Sequence, residues 1–264
     1  MAPRSAVINV MTRAAEKAAR GLRRDFGEVE QLQVSLKGPG NFVSTADLKA
    51  ERVLRQELSK ARPDYSFLME ESGASAGKDA EHRWIVDPLD GTTNFLHGLP
   101  HFCISIALER AGDIVAGVVY DPIKDELFWG EKGIGSFLND RRLRVSSRRQ
   151  LSQALIATGT PYGQRSDGRP RYLRQFDSLM DQVGDIRRMG SAALDLAYVA
   201  AGRFDGYWEY GLSAWDIAAG VLLVREAGGY VSEPSGEGDP LRSGDTLAAN
   251  DHLHGALKAA LTKA

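Results

Sequence analysis

The spacing of hydrophobic residues near the start of the chain predicts an amphipathic helix. Val7, Met11, Ala14, Ala18 and Leu22 recur at intervals of three or four residues and therefore share one face. Many of the intervening positions are basic, a composition also found in transit peptides. Because the hydrophobic face is regular throughout, we interpret the segment as the first helix of the mature protein.

A second helix is predicted from a start signal. Ser44 or Thr45 supplies an N-cap, and the helix runs from there to about Lys60. Asp47 lies in the first turn, where a negative charge is favourable to the helix dipole. Pro63 breaks the helix soon after, since proline cannot continue the hydrogen-bond ladder.

Strands are predicted beyond this point, and acidic residues follow two of them. Residues 65–69 form a short strand that ends at Glu70-Glu71, and residues 84–86 form another that ends at Asp87. A meander follows, and the second half mixes strand-like runs with helices rich in small residues. The meander comprises residues 102–108, 114–120 and 126–129, and two of the small-residue helices comprise residues 191–201 and 216–226.

Composition narrows the functional class. The 264 residues include 33 basic and 35 acidic side chains, and the resulting net charge of −2 argues against nucleic-acid binding. Cys103 is the single cysteine, which excludes an internal disulfide and fits a reducing cytoplasm. No apolar run approaches the ~18 residues needed to cross a bilayer. One basic cluster, interpreted as a solvated loop or strand edge, comprises Arg141, Arg142, Arg144, Arg148 and Arg149.

The most informative segment joins two aspartates to a glycine-threonine turn. An apolar strand delivers Asp87 and Asp90 to a tight turn, because Pro88 cannot extend the ladder. The small residues at 91–93 resemble the start of a helix, where N–H groups and the helix dipole bind phosphate well. The segment therefore predicts a phosphate site beside two carboxylates.

Burying both carboxylates without a partner would be costly, because the two negative charges repel each other. A divalent cation removes this cost, and ligation by oxygen alone favours Mg²⁺. Glu70 and Asp216 also lie at element boundaries, so three acidic sites could meet in one cleft. Spacing alone does not show that they meet, and an ordinary Asx-turn with solvated aspartates remains open for this segment by itself.

A series of motifs recurs in order along essentially the whole chain. These motifs are Glu70-Glu71-Ser72, Trp84 to Phe95, Gly159-Thr160-Pro161, Gly190 to Ala193 with Asp195-Leu196-Ala197, and Trp215 to Gly220 followed by Glu226 to Gly229. In content and separation they resemble the inositol monophosphatase family, and in particular its bacterial extragenic-suppressor branch. The resemblance implies an α/β (α+β layered) fold, the αβαβα sandwich of sugar phosphatases.

The resemblance also implies two-metal catalysis, in which Mg²⁺ ions activate a water and stabilise the departing alkoxide. Thr92 would position the attacking water, and Asp47 would orient Thr92 by accepting its hydroxyl proton. Glu70 would count among the catalytic residues as well as the metal ligands. The implied metal ligands are the side chains of Glu70, Asp87, Asp90 and Asp216 and the carbonyl of Leu89.

Substrate contacts are implied in the same way. The N–H groups of Gly91 and Thr92 would hold the phosphate. Carboxylates suit the alcohol because each oxygen accepts charge-assisted hydrogen bonds from hydroxyls. The implied contacts to the alcohol are Asp90, Gly190, Ser191, Ala192, Glu209 and Asp216.

The predicted organisation is one catalytic unit, residues 1–264. Its halves are approximately 1–140, which would bind metal, and 141–264, which would bind substrate. The resemblance implies Mg²⁺-dependent hydrolysis of inositol monophosphate, inhibition by lithium and a homodimer. A cytoplasmic location is also expected. No direct contact with nucleic acid or membrane is predicted.

Other functions stay open at this point. Histidinol phosphate, fructose 1,6-bisphosphate or an adenosine bisphosphate would share the mechanism, although the acidic or neutral sequence around Glu209 disfavours a second phosphate. Bacterial relatives of this branch act on RNA polymerase, so a contact with RNA polymerase or antitermination factors through Arg187-Arg188 or the basic cluster is a further alternative.

A serine-hydrolase alternative is weaker. Residues 73–77 match a nucleophile elbow that follows a strand. That fold requires a helical crossover of a dozen or more residues before the next parallel strand. Only residues 78–83 separate the segment from Trp84, so we predict a flexible loop beside the active site instead.

Overall fold

The chain alternates helices with strands that form two large sheets. The computed structural model describes residues 4–28, 34–38, 41–161, 168–236 and 238–263. The helices are α1 (Ala6–Phe26), α2 (Thr45–Ala61), α3 (Thr92–Leu96), α4 (Arg169–Met180), α5 (Ala192–Ala200), α6 (Ala214–Glu226), α7 (Pro240–Ser243) and α8 (Asp251–Lys263).

The strands follow the meander expected between residues 102 and 129 and extend well beyond it. They are β1 (Val34–Gly38), β2 (Asn41–Ser44), β3 (Ser66–Met69), β4 (Gly73–Ser75), β5 (His82–Asp90), β6 (Cys103–Arg110), β7 (Asp113–Asp121), β8 (Glu126–Glu131), β9 (Gly135–Leu138), β10 (Arg141–Arg142), β11 (Leu155–Thr158), β12 (Asp185–Arg187), β13 (Gly206–Glu209), β14 (Tyr230–Ser232) and β15 (Thr246–Ala249).

The two N-terminal helices form where the sequence predicts them. The face of α1 that carries Met11, Ala14 and Leu22 is buried, as its spacing requires. Helix α2 begins after Ser44, whose hydroxyl oxygen accepts from the N–H of Ala46 at 3.1 Å. The N-cap prediction is therefore confirmed.

The larger sheet has eight strands in the order β10-β9-β8-β7-β6-β5-β3-β4. Most neighbours pair antiparallel, whereas β3 runs parallel to β5 with Met69 opposite Val86. Parallel strands point their carboxyl ends to the same edge. The residues that follow, Glu70 and Asp87, are consequently neighbours at that edge.

The path of β5 differs from the prediction. The strand does not end at Asp87 but continues through Pro88 and Leu89 to Asp90. Asp87 pairs with Ser105 and Asp90 with Cys103, so the register shifts by one residue between them. This bulge accommodates Pro88, which has no N–H for the ladder, and it turns both aspartates toward the end of the sheet.

The smaller sheet has five strands in the order β12-β11-β13-β15-β14. Strand β11 pairs in parallel with both β12 and β13, and β15 pairs antiparallel with β13 and β14. The parallel pairing of β11 with β13 places their carboxyl ends, at Thr158 and Glu209, side by side.

Helices separate and cover the two sheets. Helices α1 and α2 pack on one face of the larger sheet, around Leu54 and Trp84. Helices α5 and α6 lie between the sheets, around Leu196 and Leu223, and α4 and α8 cover the outer face of the smaller sheet. The predicted αβαβα sandwich is confirmed. Among the described helices, none is both long and apolar enough to cross a membrane.

Two surface segments test the predictions made for residues 73–77 and for the basic cluster. Gly73–Ser75 forms strand β4, which pairs antiparallel with β3, so the expected flexible loop is wrong there because the backbone finds an open sheet edge. Arg141–Arg142 form the short edge strand β10, and Arg141, Arg142, Arg144, Arg148 and Arg149 are exposed. The interpretation of this basic cluster as a solvated strand edge or loop is confirmed.

Candidate active site

Two carboxylates meet at the end of the parallel strand pair. The N–H of Glu70 donates to the carbonyl of Val86 at 3.1 Å, which extends the β3–β5 register by one residue. The carboxyl groups of Glu70 and Asp87 then lie within hydrogen-bonding reach of each other. Local pairing of two strands therefore brings together residues that are 17 positions apart in the sequence.

Asp216 reaches the same place from the second half of the chain. The Ser105 hydroxyl, opposite Asp87 in the sheet, donates to the carbonyl of Trp215 at 3.3 Å. This contact fixes the start of α6 against the larger sheet. Asp216 lies in the first turn of α6, where its Oδ2 accepts from the N–H of Ser213 at 2.7 Å.

The electrostatics of Asp87 show that the acidic residues converge. Burial raises the pKa of Asp87 well above its ordinary range, and the negative charges of Glu70, Asp90 and Asp216 raise it further. Asp87 is 2% exposed, so water cannot screen this repulsion. The sequence motifs, distant along the chain, thus form one acidic cluster.

Four aspartates of the site each use one carboxylate oxygen to accept a hydrogen bond from a backbone N–H. That bond orients the carboxylate. The second oxygen takes no part in it and can interact with another group. The pairs are Ser44 N to Asp47 Oδ2 at 2.9 Å, Leu89 N to Asp87 Oδ1 at 2.9 Å, Ala193 N to Asp90 Oδ2 at 2.7 Å and Ser213 N to Asp216 Oδ2 at 2.7 Å.

This anchoring also explains the arrangement of possible ligand atoms. Within the described ranges, no three His, Cys, Asp or Glu side chains already converge in a metal-ligating geometry. The carboxylates are instead oriented by backbone N–H donors. They are close enough to raise the pKa of Asp87, although they do not surround one point.

Thr92 connects the helix α2 to the acidic cluster. Its hydroxyl lies 3.1 Å from Asp47 Oδ1 and 3.0 Å from the carbonyl oxygen of Leu89. With one proton, the hydroxyl donates to one of these acceptors at a time, and the negatively charged Asp47 is the stronger. Burial raises the pKa of Asp47, which is 0% exposed, whereas hydrogen bonds from Ser44 lower it.

Gly91 shapes the turn before α3. Its φ of 95° lies in the left-handed region, and an added Cβ would come 3.0 Å from the carbonyl oxygen of His101. Glycine is therefore required at the N-cap. The N–H groups of Thr92 and Thr93 follow in the first turn, where a helix offers them no internal acceptor.

Asp90 lies between the two halves of the chain. Its Oδ2 accepts from the Ser191 hydroxyl at 2.6 Å as well as from Ala193. Burial raises the pKa of Asp90 to about 6, and the hydrogen bonds from Ser191 and Ala193 oppose this rise. The negative charge of Glu209 contributes to the rise, which places Glu209 near Asp90.

We call Asp47, Glu70, Asp87 and Asp216 the carboxylate wall of the site. A second group of residues near Asp90, which we call the second wall, consists of Gly159, Arg188, Gly190 and Glu209. In the second wall, the Tyr207 hydroxyl donates to Glu209 Oε2 at 2.7 Å. An added Cβ on Gly159 would lie 2.0 Å from the Glu209 carboxyl carbon, so Gly159 makes room for this carboxylate.

Arg188 changes the charge of the second wall. Its Nη1 lies 2.7 Å from the position of an added Cβ on Gly190, and its charge lowers the pKa of Asp195 against the raising effect of burial. The same pKa is raised by the charge of Glu209. Sequence neighbours of Glu209 are acidic or neutral, but the fold adds this basic side chain from another segment.

Two positioning residues were missed by sequence reasoning. The Asn94 side-chain amide donates to the carbonyls of His101 and Met189, each at 2.8 Å, and so ties α3 to the segment before α5. Glu51 is 6% exposed and its Oε2 accepts from the N–H of Glu71 at 2.9 Å. Its position four residues after Asp47, on the same face of α2, was the available signal.

Comparisons with known proteins agree with this geometry. A family model described as "Inositol monophosphatase family" matches residues 4–264. The inositol-1-monophosphatase of Rhizobium meliloti is 60% identical over 97% of this chain and 96% of that protein. The Nus factor SuhB of Escherichia coli is 43% identical over 96% of this chain and 94% of that protein. The crystal structure of extragenic suppressor protein suhB from Bartonella henselae is 58% identical, with a TM-score of 0.95, over 98% of this chain and 99% of that one.

Proposed function

Because the chain belongs to the inositol monophosphatase family, we propose that it hydrolyses the phosphate monoester of a small polyol, with inositol monophosphate as the substrate. The observation that carries the proposal is the convergence of Glu70, Asp90 and Asp216 on the buried Asp87. Such a cluster suits a reaction in which a divalent cation and a phosphate meet.

The residues present fit a hard divalent cation. Their donors are all oxygen, and the repulsion around Asp87 is what a bound cation would relieve. The groups that would hold Mg²⁺ are Glu70, Asp87, Asp90, Asp216 and the Leu89 carbonyl. When bound there, Mg²⁺ would lower the pKa of a water and stabilise the departing oxygen.

Thr92 and Asp47 would position the attacking water. Because the Thr92 hydroxyl donates a hydrogen bond to Asp47, its oxygen lone pairs can accept a hydrogen bond from water. Because Asp47 is itself held by Ser44, the hydroxyl is oriented before substrate arrives. This arrangement requires no covalent intermediate on the protein.

The turn at Gly91 and the second wall would bind different parts of the substrate. The N–H groups of Gly91 and Thr92, at the start of α3, would hold the phosphate. Glu209, together with Asp90, Asp216 and the backbone of Gly190 and Ala192, would form hydrogen bonds with the alcohol hydroxyls. The phosphate would therefore lie toward the carboxylate wall and the polyol toward the second wall.

Three further properties accompany the proposal. We propose a homodimer, a cytoplasmic location and inhibition by lithium, all on the basis of the family resemblance. Lithium inhibition is the most direct of the three to measure, as loss of Mg²⁺-dependent turnover when LiCl replaces NaCl at equal ionic strength.

A phosphate-release panel with Mg²⁺ tests the reaction and its substrate. The panel compares inositol monophosphate, histidinol phosphate, fructose 1,6-bisphosphate and an adenosine bisphosphate. We expect the highest kcat/KM on inositol monophosphate. A preference of about tenfold for histidinol phosphate, ~1.4 kcal/mol of transition-state binding, would overturn the substrate assignment.

An Asp87→Asn variant tests whether the acidic cluster is the site. It should abolish turnover while the protein remains folded. Asp113→Asn is the matched control, because Asp113 is exposed at the start of β7 and its 3.0 Å ion pair with Lys132 lies on the surface. Equal activity of the Asp87→Asn variant and the wild type would contradict the proposed site.

A second candidate function rests on the relatives named Nus factor SuhB, which are 43–46% identical to this chain. We propose that the chain also binds RNA polymerase or antitermination factors through exposed arginines. A pull-down with purified RNA polymerase, using wild-type and Asp87→Asn protein, separates this role from catalysis. Retained binding by the inactive variant would support it, and no binding by either would reject it.

A further inference from the structure

Two donors from the start of α5 hold one oxygen of Asp90. The Ser191 hydroxyl donates to its Oδ2 at 2.6 Å and the Ala193 N–H donates to the same oxygen at 2.7 Å. The Cys103 thiol lies 3.8 Å from that oxygen and 3.7 Å from the Ser191 hydroxyl. None of these contacts uses Asp90 Oδ1.

Ser191 has an unusual position for a residue at a helix start. It is the N-cap of α5, yet its side chain makes no capping bond within its own helix. The hydroxyl is instead directed to Asp90, whose Oδ2 accepts from the second residue of α5 in its place. Asp90 thereby caps α5 from a distant part of the chain.

The Ser191 hydroxyl is also poorly placed to meet a substrate. The residue is 1% exposed, and the one proton of the hydroxyl is committed to Asp90. A polyol hydroxyl approaching from the cleft would have to displace this short, charge-assisted bond. The expected direct contact between Ser191 and the alcohol is therefore unfavourable.

We propose that Ser191 is a positioning residue for Asp90, which it holds in the orientation that binds the cation, and that it does not contact the substrate alcohol. The inference rests on the proposed function, because it assumes that Asp90 ligates Mg²⁺. Ser191 fixes one oxygen of the carboxylate, and the cation uses the other.

Magnesium binding, measured without turnover, tests this inference. The melting temperature of each variant is recorded against Mg²⁺ concentration, since a ligand of the folded state raises it by mass action. Ser191→Ala should shift the half-saturating Mg²⁺ concentration upward by about 10- to 100-fold, as expected when a residue that orients a metal ligand is removed. Ser191→Thr keeps the hydroxyl and should restore the wild-type value.

Two comparisons make the test specific. Ser136→Ala removes another buried serine hydroxyl, from β9 of the larger sheet, and should leave the Mg²⁺ titration unchanged. Ser191→Cys keeps a side chain of similar size with a weaker donor, so its half-saturating concentration should lie between those of wild type and Ser191→Ala. At saturating Mg²⁺, the KM for inositol monophosphate should stay within about twofold in the Ser191 variants.

The outcomes separate the possible roles. An unchanged Mg²⁺ titration with a raised KM would show that Ser191 contacts the alcohol, and would overturn the inference while leaving the proposed function intact. An unchanged titration with an unchanged KM would overturn it as well. A wild-type protein whose melting temperature ignores Mg²⁺ would reject the metal site of the proposed function, and this inference with it.

Discussion

The carboxylate wall and the second wall both lie near Asp90 but carry different charges in different surroundings. In the carboxylate wall, Asp47 and Asp87 are buried and the pKa of each is raised, Asp87 partly by neighbouring negative charges. In the second wall, Glu209 is half-buried and Arg188 is exposed, so opposite charges lie close to solvent.

The difference indicates that the two walls have different roles. Buried like charges are unfavourable for folding, and they are retained where a cation or a reacting group requires them. Exposed charges of mixed sign contribute little to stability but can select among substrates. We therefore expect changes in the carboxylate wall to alter turnover and changes in the second wall to alter KM and substrate preference.

The largest effect is expected from Asp216→Asn. Loss of one metal-ligating charge should remove several kcal/mol of transition-state stabilisation, which is ~1000-fold or more in kcat/KM. The amide oxygen can still accept from Ser213, so α6 should remain capped. Phosphate release and the Mg²⁺ dependence of melting would both be measured, and normal Mg²⁺ binding would place Asp216 outside the metal site.

A smaller loss is expected from Asp47→Asn and from Thr92→Ala. Thr92→Ala removes the hydroxyl, and Asp47→Asn removes the charge that orients it. We expect kcat to fall by about 10²-fold in each, the lower range for assisted proton transfer. Mg²⁺-dependent melting should persist, in contrast to Asp216→Asn. Full activity in either variant would show that the pair does not position water.

Gly159→Ala should act on the second wall alone. The added methyl group would displace the Glu209 carboxylate and raise the KM for inositol monophosphate by about tenfold or more, the loss of a charge-assisted hydrogen bond of ~1.5–3 kcal/mol. Gly168→Ala is the control, because nothing lies within 4 Å of its added Cβ. A fall in kcat with unchanged KM would contradict the expectation that the second wall acts on KM.

Arg188→Ala should give a smaller change that depends on the substrate. We expect kcat/KM to fall by about two- to fivefold for a substrate with a second phosphate, as for a solvent-exposed ion pair of ~0.5–1 kcal/mol. Monophosphate turnover should be unchanged. Arg187→Ala is the matched control, since Arg187 pairs with Asp185 at 2.6 Å. Equal losses on both kinds of substrate would contradict a role for Arg188 in selectivity.

The smallest effect concerns the stability of the metal-free protein. The pKa of Asp90 rises from 3.8 to about 6 on folding, so the folded state binds this proton more tightly than the unfolded state. The stability it contributes is complete below about pH 3.8 and is lost as the pH rises through about 6. The melting temperature in EDTA should fall by a few degrees over this interval.

Two variants check that assignment. Asp90→Asn removes the titrating group and should flatten the slope, whereas Asp113→Asn should leave it unchanged. Added Mg²⁺ should oppose the loss at the higher pH. A slope that survives in Asp90→Asn would assign the pH dependence to other groups, and to Asp87 first because its pKa is also raised.

Much of the fold was accessible from local patterns. The face of α1 and the Ser44 cap of α2 were predicted correctly because they depend on residues within one or two turns. The end of β5 was predicted wrongly, since a bulge lets the strand pass Pro88 only when β6 lies beside it. Strand β4 was missed for the same reason, because its pairing depends on β3.

The candidate site, like the fold, was predictable from the sequence only in part. Sequence motifs indicated Asp87, Asp90 and Asp216, but their approach follows from strand register and from the contact of Ser105 with Trp215. Asn94 escaped notice because a side chain that bonds to distant backbone has no local signature, and the only signal for Glu51 was its spacing from Asp47. Arg188 was considered only as a contact for RNA polymerase, because its distance from Glu209 in the sequence gives no sign that the two residues lie close together.

The sequence by itself determined which residue types were available and where helices begin, because caps and hydrophobic periodicity act over a few residues. Only the tertiary structure decided which carboxylates share an environment and which hydroxyl each one engages. The physical reason is that charge repulsion, burial and hydrogen bonding depend on distance in space. Asp90 and Ser191, 101 positions apart in the chain, lie 2.6 Å apart in the fold.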